Sequence, residues 1–184
     1  IWDVYKADSL KTQTREIRCN NTAKRTRVGP KIPIPKGSSW IRFLEDSTNK
    51  SEIFTFLGQE ITKLSSNSDI EIVSTHHNMV LSNRGSNLYS TLTPCDHEEA
   101  DTRLFLHLKH AADHGHTEAC IRTVDSDVVV LAIHHFKELQ LSSLWISFGT
   151  GKNRRLIPIQ DVCSNLDEDR SNALLFLHAF SGCD

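Results

Sequence analysis

The chain lacks most of the features that would place it in a special class. It has only five prolines, eight glycines and one methionine, with no internal repeat or low-complexity tract, so repeat arrays and disordered or fibrous compositions are excluded. No apolar run approaches the roughly 20 residues that cross a bilayer, and no membrane partner is expected. The opening IWDVYKAD is not the basic-then-apolar order of a secretory signal. Five cysteines (Cys19, Cys95, Cys120, Cys163, Cys183) are odd in number, scattered, and form no C-x-x-C pair. That argues against a disulfide framework or a zinc ribbon and for reduced thiols in an intracellular compartment. Excess positive charge is also missing. At a net charge of −2, a nucleic-acid partner would have to be met by a local basic patch.

What is present is an ordinary globular balance, 38% hydrophobic and 24% charged over 184 residues, enough for one domain with a real core. The beginning, Ile1–Tyr5, reads as the end of a strand. A polar helix is expected over 8–18, opened by Asp8 or Ser9 as N-cap. Residues 19–39 mix Lys and Arg with Gly and Pro and read as a mobile basic loop. Helical spacing of Ile53, Phe56/Leu57 and Ile61/Leu64 predicts a helix over about 50–64. DIEIVST (69–75) alternates as a strand does, and HNMVLSN offers a second. HEEADTRLFLHLKHAADHG predicts a helix with Ala100, Leu104, Leu108 and Ala111 as its buried stripe and Gly115 at its end. EACIRTV (118–124) reads as a buried strand and SDVVVLAIHHFKEL as a helix beginning with its own Ser-Asp cap. SSLWISF (142–148) and LIPI read as strands, and DEDRSNALLFLHAF as a last helix. Strands alternating with helices imply an α/β fold, a mostly parallel central sheet with helices on both faces.

Carboxylates gather at the predicted element boundaries. Asp3 follows a strand-like start, and Glu99 and Asp101 open a helix just after Glu98. Asp125 and Asp127 follow IRTV, and Asp184 follows an apolar helix and a Ser-Gly turn. In open α/β sheets, loops and helix N-termini converge beyond the carboxyl ends of strands. Asp127 and Asp101, each taken alone, are accounted for as helix N-terminal residues, stabilised by free N–H groups and the dipole by about 0.3–1 kcal/mol. Six together suggest a shared acidic site that holds a cation.

EAD (99–101), DSD (125–127) and GCD (182–184), with IWD at the start, resemble the flap-endonuclease/XPG group of PIN-like nucleases. The resemblance implies that Asp3, Glu99, Asp101, Asp125, Asp127 and Asp184 bind Mg²⁺ or Mn²⁺, as two ions. It further implies that Lys11 and Arg18 hold the reacting phosphate. Seven residues are two helical turns, so the two share a face. Arg15, on the same helix, would join Lys152, Arg154 and Arg155 in binding nucleic acid, DNA rather than RNA. By the same resemblance residues 19–39 correspond to an arch over the active site, and the location is nuclear. A further strand ahead of Ile1 and DNA-binding helices beyond Asp184 are implied, making 1–184 a single-domain fragment. The segments HEEADTR, DSDV and SFGTGKNRR are also similar to those of often multi-copy, uncharacterised animal proteins. The chemistry suits the residue types, since hard divalent ions take oxygen ligands and a pair of them can activate water for phosphodiester hydrolysis. The alternative is a catalytically inactive nucleic-acid-binding or protein-interaction module on the same fold.

Other signals are weaker. FGTGKNRR is not a Walker loop, because Asn153 stands where Ser or Thr is required. It reads either as a basic hairpin touching a phosphate backbone or as a solvated turn. His107, His110 and His114 share a helix face but lack accompanying ligands at zinc spacing. The basic residues Lys24–Arg27, Lys31 and Lys36 suit a nuclear-localisation or nucleic-acid patch. Trp40, Phe43 and Leu44 read as packing residues.

Overall fold

A computed structural model describes residues 1–6, 8–9, 25–64 and 69–181. The polar helix expected over 8–18, with Lys11, Arg15 and Arg18, lies outside these, apart from its first two residues, and so does Asp184. The chain forms two compact units, Ile1–Ala100 and Asp101–Asp184.

In the first unit, α1 (Ser38–Glu45) and α2 (Ser47–Leu64) meet at a corner formed by Asp46, whose backbone is extended. Its carboxylate accepts from the backbone N–H of Asn49 at 2.8 Å, capping α2. Asn49 is fully buried. Its amide donates to the Phe43 carbonyl at 3.0 Å, and its Oδ1 accepts from the Thr26 N–H at 3.0 Å and from Arg25 at 2.7 Å. One satisfied polar side chain thus ties the irregular segment beginning at Arg25 to both helices. β1 (Val73–His76) and β2 (Met79–Ser82) pair antiparallel with His76 opposite Met79. The two-residue loop between them demands that direction and a positive φ, which His77 adopts at 50°. A 3-10 helix, Ser86–Leu92, follows. Ile1–Tyr5 forms no strand. It is extended chain held by Val4 N–H to the Glu98 carbonyl at 2.6 Å and by Trp2 Nε1 to Ser74 Oγ at 3.0 Å.

The second unit comprises α3 (Ala100–Asp113, counted with its first residue), β3 (Glu118–Thr123), α4 (Ser126–Leu139), β4 (Ser143–Phe148), β5 (Arg155–Pro158), α5 (Ile159–Ser164) and α6 (Glu168–Ser181). β3 and β4 run parallel, joined through α4, and β4 and β5 run antiparallel. The direction of β5 follows from its connection: 149–154 is too short for a parallel crossover. Ile121, Leu144 and Ile146 on one sheet face pack with Phe105, Val128, Ala132, Ile133 and Ile159. The opposite face is more open. Cys120 and Arg122 are exposed, so β3 is a half-buried strand rather than the buried one its apolar residues suggested. Likewise the expected stripe of α3 is only partly buried, while Arg103 and Phe105 are its most buried side chains.

The class is therefore mixed α/β. Among the described residues the strands form two small sheets, one of two strands and one of three.

Candidate functional site

In the first unit the chain start and the segment before α3 are stitched together. Asp3 Oδ1 accepts from the Ala100 N–H at 2.8 Å, a cap supplied from far along the chain. Glu98 accepts from the Lys6 N–H at 3.3 Å and the Ser9 hydroxyl at 2.5 Å, and Lys6 Nζ reaches the Asp96 carbonyl at 2.8 Å. Asp3 and Glu99 are thereby brought into one neighbourhood, both partly buried.

In the second unit Asp101 lies in the first turn of α3. Asp125 is the N-cap of α4: its Oδ1 accepts from the Asp127 N–H at 2.9 Å, and its own N–H donates to Thr123 Oγ1 at 3.0 Å. Asp127, in the first turn of α4, stands 2.9 Å from His178 Nε2 on α6. His178 is the residue that sequence reasoning missed here. Its signal was available, as the polar position within the apolar run ALLFLHAF.

The carboxyl ends of β3 and β4 lie side by side, Thr123 opposite Phe148, and the Gly149 N–H continues the pairing to the Thr123 carbonyl at 3.0 Å. The strand ends therefore deliver two loops to one sheet edge. One holds Asp125, and the other carries Lys152 and Arg154 and leads into Arg155 at the start of β5, all exposed. Gly149 turns the second loop with φ 87°, and a Cβ there would stand 2.9 Å from the Asn153 carbonyl oxygen. Lys152 sits in a single 3-10 turn, Gly151–Asn153. Arg155 lies 5.3 Å over the Phe148 ring, which orients its guanidinium at the edge.

The donor chemistry at this edge fits a hard divalent cation in kind: Mg²⁺ takes one or two protein carboxylates and completes its shell with water and substrate phosphate. One oxygen of Asp125 caps α4 and one of Asp127 meets His178. Among the described residues, no group of three or more His, Cys, Asp or Glu side chains stands close enough to hold a metal ion. No protein-family model, curated protein or solved structure matches the chain.

Proposed function

We propose that the chain is a nuclease-like domain of the PIN-like, flap-endonuclease-like kind, hydrolysing phosphodiester bonds of structured nucleic acid with Mg²⁺ or Mn²⁺. The observation that supports this reading is that the segment holding Asp125 and the one carrying Lys152 and Arg154, with Arg155 just beyond it, both follow the carboxyl ends of two neighbouring parallel strands. Acidic and basic groups at one edge suit a phosphodiester, because the cations draw in the backbone while the carboxylates hold what neutralises the reacting phosphate. When bound, the metal would supply an activated water and Lewis-acid stabilisation of the leaving oxygen. Asp125, fixed as an N-cap, offers a carboxylate already oriented by the fold. Arg155, held against Phe148, offers a guanidinium positioned for a phosphate oxygen. In the second unit Asp101 would belong to the same acidic set; the roles of Asp3, Glu99, Asp184, Lys11 and Arg18 rest on the motifs alone.

The second reading is a binding module that kept the fold without catalysis. The pairing of Asp127 with His178 favours it, since that contact competes with metal ligation. A cleavage assay on branched and linear DNA and RNA, with Mg²⁺ or Mn²⁺, tests both. The nuclease reading expects cutting that Asp125→Asn reduces by on the order of 10²-fold or more, with binding kept. A folded, metal-loaded protein that binds these substrates and cuts none would end it.

A further inference from the structure

The segment pinned by Asn49 does more than connect. Its residues Val28, Ile32 and Ile34 roof a cavity whose floor is Trp40 of α1 and Phe56 and Leu57 of α2, with a volume of about 170 Å³. Trp40 and Phe43, both lining the cavity, stack with ring centroids 5.2 Å apart. The volume is below the roughly 300–1,000 Å³ of a cofactor or drug-sized site and suits one large apolar side chain. Arg27 and Lys31 also line it, and among the described residues neither has an ion-pair partner. Arg25, by contrast, is paired with Glu52.

Lys31 carries a second, independent sign. The turn Gly29–Ile32 closes with the Ile32 N–H on the Gly29 carbonyl at 3.2 Å, with Pro30 and Lys31 at its centre. Lys31 has φ 66°, at a position where a type II turn wants glycine. A lysine held in left-handed backbone is strained, and such strain collects at ligand clamps.

The geometry points to a docking site for an acidic peptide segment that inserts one Leu-, Ile- or Phe-sized side chain into the cavity, its flanking Asp or Glu meeting Arg27 and Lys31. A nucleobase fits less well, because the aliphatic lining would leave its polar edges without hydrogen bonds. This inference does not depend on the phosphodiester reading, which rests on other residues.

The test uses the whole chain as bait for a display library of random nonapeptides. Enriched peptides should share one large apolar residue flanked by Asp or Glu. A synthetic consensus peptide, followed by fluorescence anisotropy, should lose about tenfold or more in affinity when its anchor becomes Ser and bind more weakly as salt rises. Ile34→Glu should abolish binding. Lys31→Gly separates docking from folding: it relieves the backbone, so thermal stability should hold or rise, while affinity falls by about two- to fivefold. The inference is overturned if no shared motif emerges, if the motif lacks acidic residues, or if Lys31→Gly and Ile34→Glu leave binding unchanged. It is equally overturned if an oligothymidylate binds more tightly than the peptide and loses affinity with the same two variants.

Discussion

His107 shows how far one side chain's surroundings govern its protonation. Burial pushes its pKa from 6.5 down to about 4, with the nearby Arg103 guanidinium adding to the effect. Because the folded pKa is depressed, the unfolded chain takes up this proton first. The contribution is therefore neutral above pH 6.5, and stability falls as pH drops from 6.5 toward 4, by up to about 1.4 kcal/mol per unit. Urea unfolding at pH 7.5 and 5.0 should show a smaller acid loss in His107→Gln than in wild type, by about 2 kcal/mol. Equal losses would mean that His107 is not the group responsible. The histidine spacing on α3 was visible in the sequence, but its burial was not, since the same spacing serves an exposed polar face equally well. Asp125 is a different case. The segment SDVVVLAIHHFKEL was expected to carry its own Ser-Asp cap, whereas the N-cap of α4 is one residue earlier, at Asp125, whose side chain accepts from the Asp127 N–H.

At the scale of elements, the loop from Gly149 to Arg154 sets where the basic residues stand. Its shape depends on one glycine at positive φ whose missing Cβ leaves room for the Asn153 carbonyl. Gly149→Ala should destabilise by at least about 1–2 kcal/mol for the left-handed backbone alone, lowering the melting temperature by about 2–8 °C, and should weaken nucleic-acid binding as Lys152, Arg154 and Arg155 shift. A variant with unchanged melting and binding would show that the loop tolerates another path. Long periodic elements such as α2, α3 and α4 were legible because apolar spacing over several turns is self-averaging. The shorter α1 and α5 were not. SSWIRFLE offers too few turns for a pattern to emerge, and IQDVCS forms where Ile159 is buried against β4 rather than by propensity.

For the whole molecule, the proposed function makes a thermodynamic claim. A ligand that binds only the folded state stabilises it by RT ln(1 + [L]/Kd), about 2.7 kcal/mol at a hundredfold excess over Kd. Millimolar Mg²⁺ or Mn²⁺ should therefore raise the melting temperature, and Asp125→Asn should blunt the rise. A melting curve unmoved by metal would favour the binding-module reading, in which Asp127 remains with His178.

The sequence by itself determined the alternation of strands and helices beyond Ala100 and the carboxylates that open α3 and α4, because spacing and helix-end chemistry are local. Tertiary structure alone decided that Asp3 caps the Ala100 N–H, that His178 meets Asp127, and that the Asp125 and Lys152–Arg155 loops share a sheet edge. Each of these joins residues far apart in the chain. Whether such groups meet depends on strand pairing and helix packing, which no local pattern encodes.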